Sequence, residues 1–248
     1  MALIIVLSFS ACKADAEKTT SIQDDTVTMS ENQISVQQKV ESTKSIKNNY
    51  TVTDGTEKYR DFTLDNILMT DKNEEIHFNL YVPKSYDGSG SYALYITLPG
   101  YEGLYFQGLG VNLKSEKFAF EAQKYNSKMI IVAPQLNGWD ETSADETITL
   151  IEYLFSAYNI DKTKVYINGY SGGGETASIA VSKRPDLFTA YLQVSSQWDG
   201  EYESVAKAHL PVYIAIGKDD EFMVLQNLKQ HTIRFIISIK NKACQMMK

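Results

Sequence analysis

The chain has 248 residues, 43% of them hydrophobic, and a formal net charge of −7. That length holds one sizeable α/β domain with at most a small companion, and the acidic balance argues against nucleic acid, whose phosphates require clustered Lys and Arg. The two cysteines, Cys12 and Cys244, lie near opposite ends and supply neither a metal-ligand spacing nor a disulfide framework.

In chain order, Ala2 to Ala11 is an apolar run that stops at Cys12. At about ten residues it is short for a bilayer span and reads as the hydrophobic part of a signal peptide covering residues 1–12. The small residues before Cys12 resemble a bacterial lipobox, which would make Cys12 a lipidation site and the protein an exported or surface-anchored one. The alternative is a buried N-terminal strand carrying a free thiol. Residues 13–49 are polar, with no Gly or Pro and few large apolar groups. Such a segment buries too little surface to offset its ordering entropy, so it reads as a tether.

A folded domain is expected over residues 50–221. Phe62-Thr63-Leu64 opens a strand, and Ile76 to Val82 alternates with period two, a half-buried strand that leaves His77 on the solvent face. Pro83 to Gly90 is turn chemistry. These pieces predict an antiparallel sheet edge. Strands and helices then alternate: a strand over Tyr92–Leu98, a helix over Lys117–Tyr125, a strand over Met129–Ala133, an amphipathic helix over Thr147–Tyr158, and strands at Val165–Ile167, Tyr191–Val194 and Val212–Ile216. That rhythm implies a mostly parallel sheet covered by helices on both faces.

The residues that carry chemistry follow these strands, as expected where a parallel sheet binds beyond its carboxyl edge. Gly169-Tyr170-Ser171-Gly172-Gly173 lies between a strand and a helix-like run. This G-x-S-x-G arrangement sets a serine on a tight turn, a nucleophile elbow, and leaves the Gly172 N–H free to hold an oxyanion. Leu98-Pro99-Gly100-Tyr101 ends an earlier strand, and its Tyr101 N–H is the candidate second donor. Gly217-Lys218-Asp219-Asp220 ends another, with Asp220 preferred over Asp219 as the carboxylate that orients an imidazole. Trp139 and Trp198 also follow strand ends, so each is a candidate wall of a substrate cleft or, equally, a core residue.

On these three motifs the stretch from Phe62 to Glu221 resembles the α/β-hydrolase superfamily, and within it the esterases and prolyl-oligopeptidase-like catalytic domains. The resemblance implies a three-layer α/β sandwich. It also implies serine-dependent cleavage of small esters or peptides through an acyl-enzyme, with no metal or cofactor. It would give Ser171 and Asp220 catalytic roles and Tyr101 and Gly172 the oxyanion pocket. A surface-anchored binding protein on the same scaffold is the reading from a different class.

The base is the missing piece. His77 lies within a strand, His209 precedes the Val212–Ile216 strand and so sits roughly 25 Å from its far end, and His231 precedes an apolar run at the wrong end of a last strand. His231 is therefore a weak candidate. From Phe222 to Lys248 there is no Asp, Glu, Gly or Pro, while Lys229, Arg234, Lys240, Lys242 and Lys248 make the segment basic after an acidic body. This change predicts that residues 222–248 are out of frame or otherwise altered. A strand followed by a histidine should then be encoded in another frame past Glu221. Within the domain, Glu102-Gly103-Leu104-Tyr105-Phe106-Gln107-Gly108 resembles the recognition site of a plant-virus protease.

Overall fold

The computed structural model describes residues 2–7, 50–217 and 220. One ten-stranded sheet organises them. Its strands are β1 (Ala2–Leu7), β2 (Thr51–Thr53), β3 (Glu57–Tyr59), β4 (Phe62–Met69), β5 (Glu75–Tyr81), β6 (Tyr92–Leu98), β7 (Met129–Pro134), β8 (Ile160–Tyr170), β9 (Ala190–Val194) and β10 (Val212–Gly217). The order across the sheet is β1-β10-β9-β8-β6-β7-β5-β4-β2, with β3 also paired to β4. The run β10-β9-β8-β6-β7 is parallel. The edge formed by β5, β4, β2 and β3 is antiparallel, as the period-two pattern predicted.

Composition explains this division. β7 is buried at every position and β6 at all but one, which a parallel strand covered on both faces requires. β4 alternates buried and half-buried along its whole length, as one face of an antiparallel edge should. The helices are α1 (Val111–Ser115), α2 (Phe118–Tyr125), α3 (Glu141–Ala157), α4 (Gly172–Lys183) and α5 (Tyr202–Lys207). One core packs Leu94, Ile96, Ile130 and Val132 against Leu150, Leu154 and Ala177 of α3 and α4. The other packs Ala93, Met129 and Ile131 against Leu113 and Phe120 of α1 and α2. Alternate residues of the same strands thus feed two cores, giving three layers.

Several elements extend beyond their sequence signals. α3 starts at Glu141, six residues before the apolar periodicity, because Asp140 caps it by accepting from the Ser143 N–H at 3.0 Å. β8 begins at Ile160 and passes through the polar stretch Asp161–Lys164 before its buried half. Ala2–Leu7 is an edge strand antiparallel to β10. Cys12, the polar segment 13–49, Asp219, and the tail 222–248 with His231 lie outside the described residues.

Candidate active site

Ser171 is the single residue between β8 and α4. Its backbone sits at φ 51 and ψ −125, a region that non-glycine residues occupy only under strain. The bend is held from both sides: the Ser171 N–H donates to the Val194 carbonyl at 3.0 Å, and its own carbonyl accepts from the Gly174 N–H at 2.8 Å. The flanking glycines are steric necessities. A Cβ on Gly169 would fall 2.3 Å from the Gly173 oxygen, and one on Gly173 would fall 2.4 Å from the Leu98 oxygen. The motif therefore lets β6, β8 and α4 converge while the serine is pushed out at the rim.

Beside it lies the loop that follows β6. A Cβ on Gly100 would stand 3.3 Å from the Ser171 Cβ, so this backbone runs directly against the serine. Tyr101 begins a 3-10 turn, Tyr101–Gly103, and Gly172 begins α4. The first N–H of a helix has no acceptor within its own helix, and the N-terminus of α4 adds a partial positive charge. The Tyr101 and Gly172 N–H groups are thus the candidate donors to a developing oxyanion. Behind the loop, the Gly100 N–H donates to Glu116 Oε1 at 2.7 Å. Burial pushes the Glu116 carboxyl up to about 7; the Gly100 bond pulls it back, and Glu102 adds repulsion.

The two tryptophans part company. Trp139 lies against Gly172, where a Cβ would fall 2.3 Å from its indole ring, and its ring centroid is 6.1 Å from that of Tyr101. Tyr101 and Phe106 pack edge to face and are 53% and 64% exposed, so with Trp139 they form an aromatic rim beside Ser171. Trp198 is 6% exposed, stacks on Tyr202, and donates its Nε1–H to the Gly200 carbonyl at 2.7 Å. The chain turns back after Ser195 (φ 42), and the Asp199 and Gly200 N–H groups bond to Ser178 Oγ on α4. That return draws Trp198 into the core and away from the cleft. Asp220 follows β10, with its N–H donating to the Gly217 carbonyl at 3.2 Å. It occupies the same carboxyl edge of the sheet as Ser171, with β9 between their strands.

The prolyl oligopeptidase family profile matches residues 136–218, which include α3, the elbow and β10. Among solved structures, a thermostable esterase is similar over 73% of this chain and 52% of its own, at 21% identity and a TM-score of 0.55. Dipeptidyl peptidase 4 of Porphyromonas gingivalis is similar over 73% of this chain and 31% of its own, at 16% identity and a TM-score of 0.56. No curated protein matches in sequence. The chain has the α/β-hydrolase fold. It spans about half the length of the esterase and under a third of the peptidase.

Within this hydrolase fold the described histidines are not at the serine. His209 is exposed and precedes β10, at the opposite edge of the sheet. His77 is on β5, three strand spacings from β8, or roughly 14 Å. It does not face solvent, as its alternation had suggested. Its side chain is 15% exposed, its Nδ1 lies 2.7 Å from Asp65 Oδ1, and its ring stacks on Tyr105. The segment 101–113 covers that face, which no strand periodicity could reveal. Asp65 sits at φ 57 where the β4–β5 register shifts, and its Oδ1 also accepts from Gln135 Nε2. Sequence reasoning missed this cluster and Glu116; the polar residues Asn112 and Gln135 beside strand ends were the available signal. Among the described residues no group of three or more His, Cys, Asp or Glu could hold a metal ion.

Proposed function

We propose that the chain is a serine hydrolase acting on small carboxylic esters. The observation that carries this reading is Ser171 on its strained elbow between β8 and α4, with the Gly100 backbone directly against it. In the proposed reaction Ser171 Oγ attacks the ester carbonyl carbon and its proton passes to a base; Asp220 would orient an imidazole in that role, none of the described histidines is placed to supply it, and a chain without it would be an impaired hydrolase. The carbonyl oxygen takes the electron pair, held by the Tyr101 and Gly172 N–H groups, each such donor being worth about 3 kcal/mol to the transition state. Collapse expels the alcohol, which takes the proton from the base, and water then cleaves the acyl-serine by the same steps. The exposed aromatic rim suits a small substrate that enters from solvent.

The prolyl oligopeptidase match over residues 136–218 favours a second reading, cleavage of peptides by the same serine. Hydrolysis of a short-chain nitrophenyl ester, tested beside a peptide anilide, separates the two. Loss of either activity in Ser171→Ala supports the hydrolase. A fluorophosphonate that fails to label Ser171 speaks for a binding protein on this scaffold or for a hydrolase that has lost its base. We also propose export, with Cys12 lipidated, residues 13–49 as the tether, and Ala2–Leu7, which pairs with β10 in the full chain, removed with the signal peptide. Mass spectrometry of the N-terminal peptide from a bacterial host checks it, and an unmodified Met1 peptide in the mature protein would refute it.

A further inference from the structure

The loop carrying Tyr101 has a glycine at its pivot, and a glycine supplies no side chain to set its own peptide planes. Gly100 is buried and lies against Ser171. Two hydrogen bonds hold it, one on each side. Its carbonyl accepts from the Gly103 N–H at 3.0 Å, which closes the 3-10 turn. Its N–H donates to Glu116 Oε1 at 2.7 Å. The Tyr101 N–H shares a planar peptide unit with the Gly100 carbonyl and points the opposite way. Fixing both planes at Gly100 therefore fixes the direction of the Tyr101 donor.

Glu116 can do this because it is itself well anchored. It directly follows α1, whose Asn112 donates to the carbonyls of Ala133 and Pro134 at 3.1 and 2.9 Å and accepts from Asn79 Nδ2 at 2.7 Å. Gly103 packs onto the same residue, with a Cβ there 3.1 Å from the Asn112 Cα. A half-buried carboxyl placed behind a backbone turn is otherwise costly, and its partner here is a main-chain amide rather than a cation.

We propose that Glu116 is a positioning residue for the oxyanion pocket, its carboxyl oxygen setting the Gly100 amide and through it the Tyr101 N–H. This rests on the hydrolase reading of Ser171. Its raised proton affinity has a use here, because a Glu116 that shares a proton near neutrality places less negative charge behind a site meant to hold an anion.

The test compares three variants of the full chain. Glu116→Gln keeps an oxygen at the same reach, Glu116→Asp keeps the charge but withdraws it by one methylene, and Glu116→Ala removes both. Amide hydrogen exchange of the peptide covering residues 99–104 should accelerate about tenfold or more in the Ala and Asp variants and stay within about threefold of the parent in the Gln variant. Fluorophosphonate labelling of Ser171 should slow about ten- to a hundredfold in the Ala and Asp variants and recover in Gln, with kcat for a nitrophenyl ester falling and KM unchanged. If the Ala variant does not fold, the Asp and Gln pair carries the comparison. Exchange in the Asp variant equal to the parent, or a Gln variant as mobile as the Asp one, overturns the proposal. A parent that is never labelled counts against the hydrolase reading, and the exchange order then still decides, separately, whether Glu116 sets the Gly100 amide.

Discussion

The two halves of the candidate oxyanion pocket are built in different ways. The elbow half is local. Gly169, Ser171 and Gly173 are within five residues of one another, and contacts shorter than van der Waals distance would follow from any larger residue at either glycine. The loop half is assembled from afar. Tyr101 is placed by Gly100, Gly100 by Glu116, and Glu116 by a short helix that Asn112 ties to Asn79 and to the end of β7. A local motif survives as a pattern of letters, whereas a relay of hydrogen bonds between distant residues leaves no such pattern. The geometry of the candidate site depends on both.

The largest expected effect separates the nucleophile from everything else. Ser171→Ala should abolish ester cleavage and fluorophosphonate labelling while leaving the melting temperature the same or slightly higher, since the strained position loses little packing; activity assays and thermal melts check both halves. Next comes the local side of the comparison. Gly173→Ala drives a Cβ against backbone oxygens of Leu98 and Pro99 and should cost about 3 kcal/mol or more in denaturant unfolding. The relay side should yield more gently: Asn112→Ala strands the Asn79 amide and loses two bonds to β7, costing about 2 kcal/mol, and should slow Ser171 labelling although Asn112 touches nothing at the serine.

The pH dependence sharpens the same comparison. Burial raises the Glu116 carboxyl from its ordinary 4.5 to about 7, so between those values the folded protein holds a proton that the unfolded chain has released. Stability should therefore fall as pH rises through that window, by on the order of 2–3 kcal/mol, and be flat in this contribution below 4.5 and above 7. Thermal melts of parent and Glu116→Gln across pH 4 to 8 should differ in slope. The smallest effect concerns residues 102–108. They are folded into two 3-10 turns, with Tyr105 stacked on His77. The native chain should resist the plant-virus protease whose site they resemble, on a gel time course, and yield to it once denatured.

What could be read in the sequence follows the same division. The parallel strands β6 and β7 and the turn at Ser171 announce themselves, because a strand covered on both faces must be continuously apolar and an elbow must have its glycines; β9 and β10, buried on one face only, show as shorter apolar runs. The antiparallel edge is visible in the alternation of Ile76 to Val82. The first half of β8 is not, since Asp161 to Lys164 falls in the register shift between the pairings of Ile160 and Val165 and its side chains turn toward solvent. The opening of α3 hides for a related reason: its first turns are polar and stand on the Asp140 cap. Trp139 and Trp198 have equivalent positions after strands, and only the return of the chain onto Ser178 sends one of them into the core. His77 was misjudged because a strand's period tells which side a residue faces but not what lies over that side.

That division between the tryptophans has a practical outcome. Trp139 leans on the first residue of α4, and its indole Nε1 is buried without a hydrogen-bond partner among the described residues, while Trp198 has its donor satisfied inside the core. With Trp198→Phe, the one remaining indole chromophore would sit beside the elbow. Its emission would then report directly on whatever enters that mouth, giving an optical signal for ligand capture that needs neither turnover nor a labelled substrate.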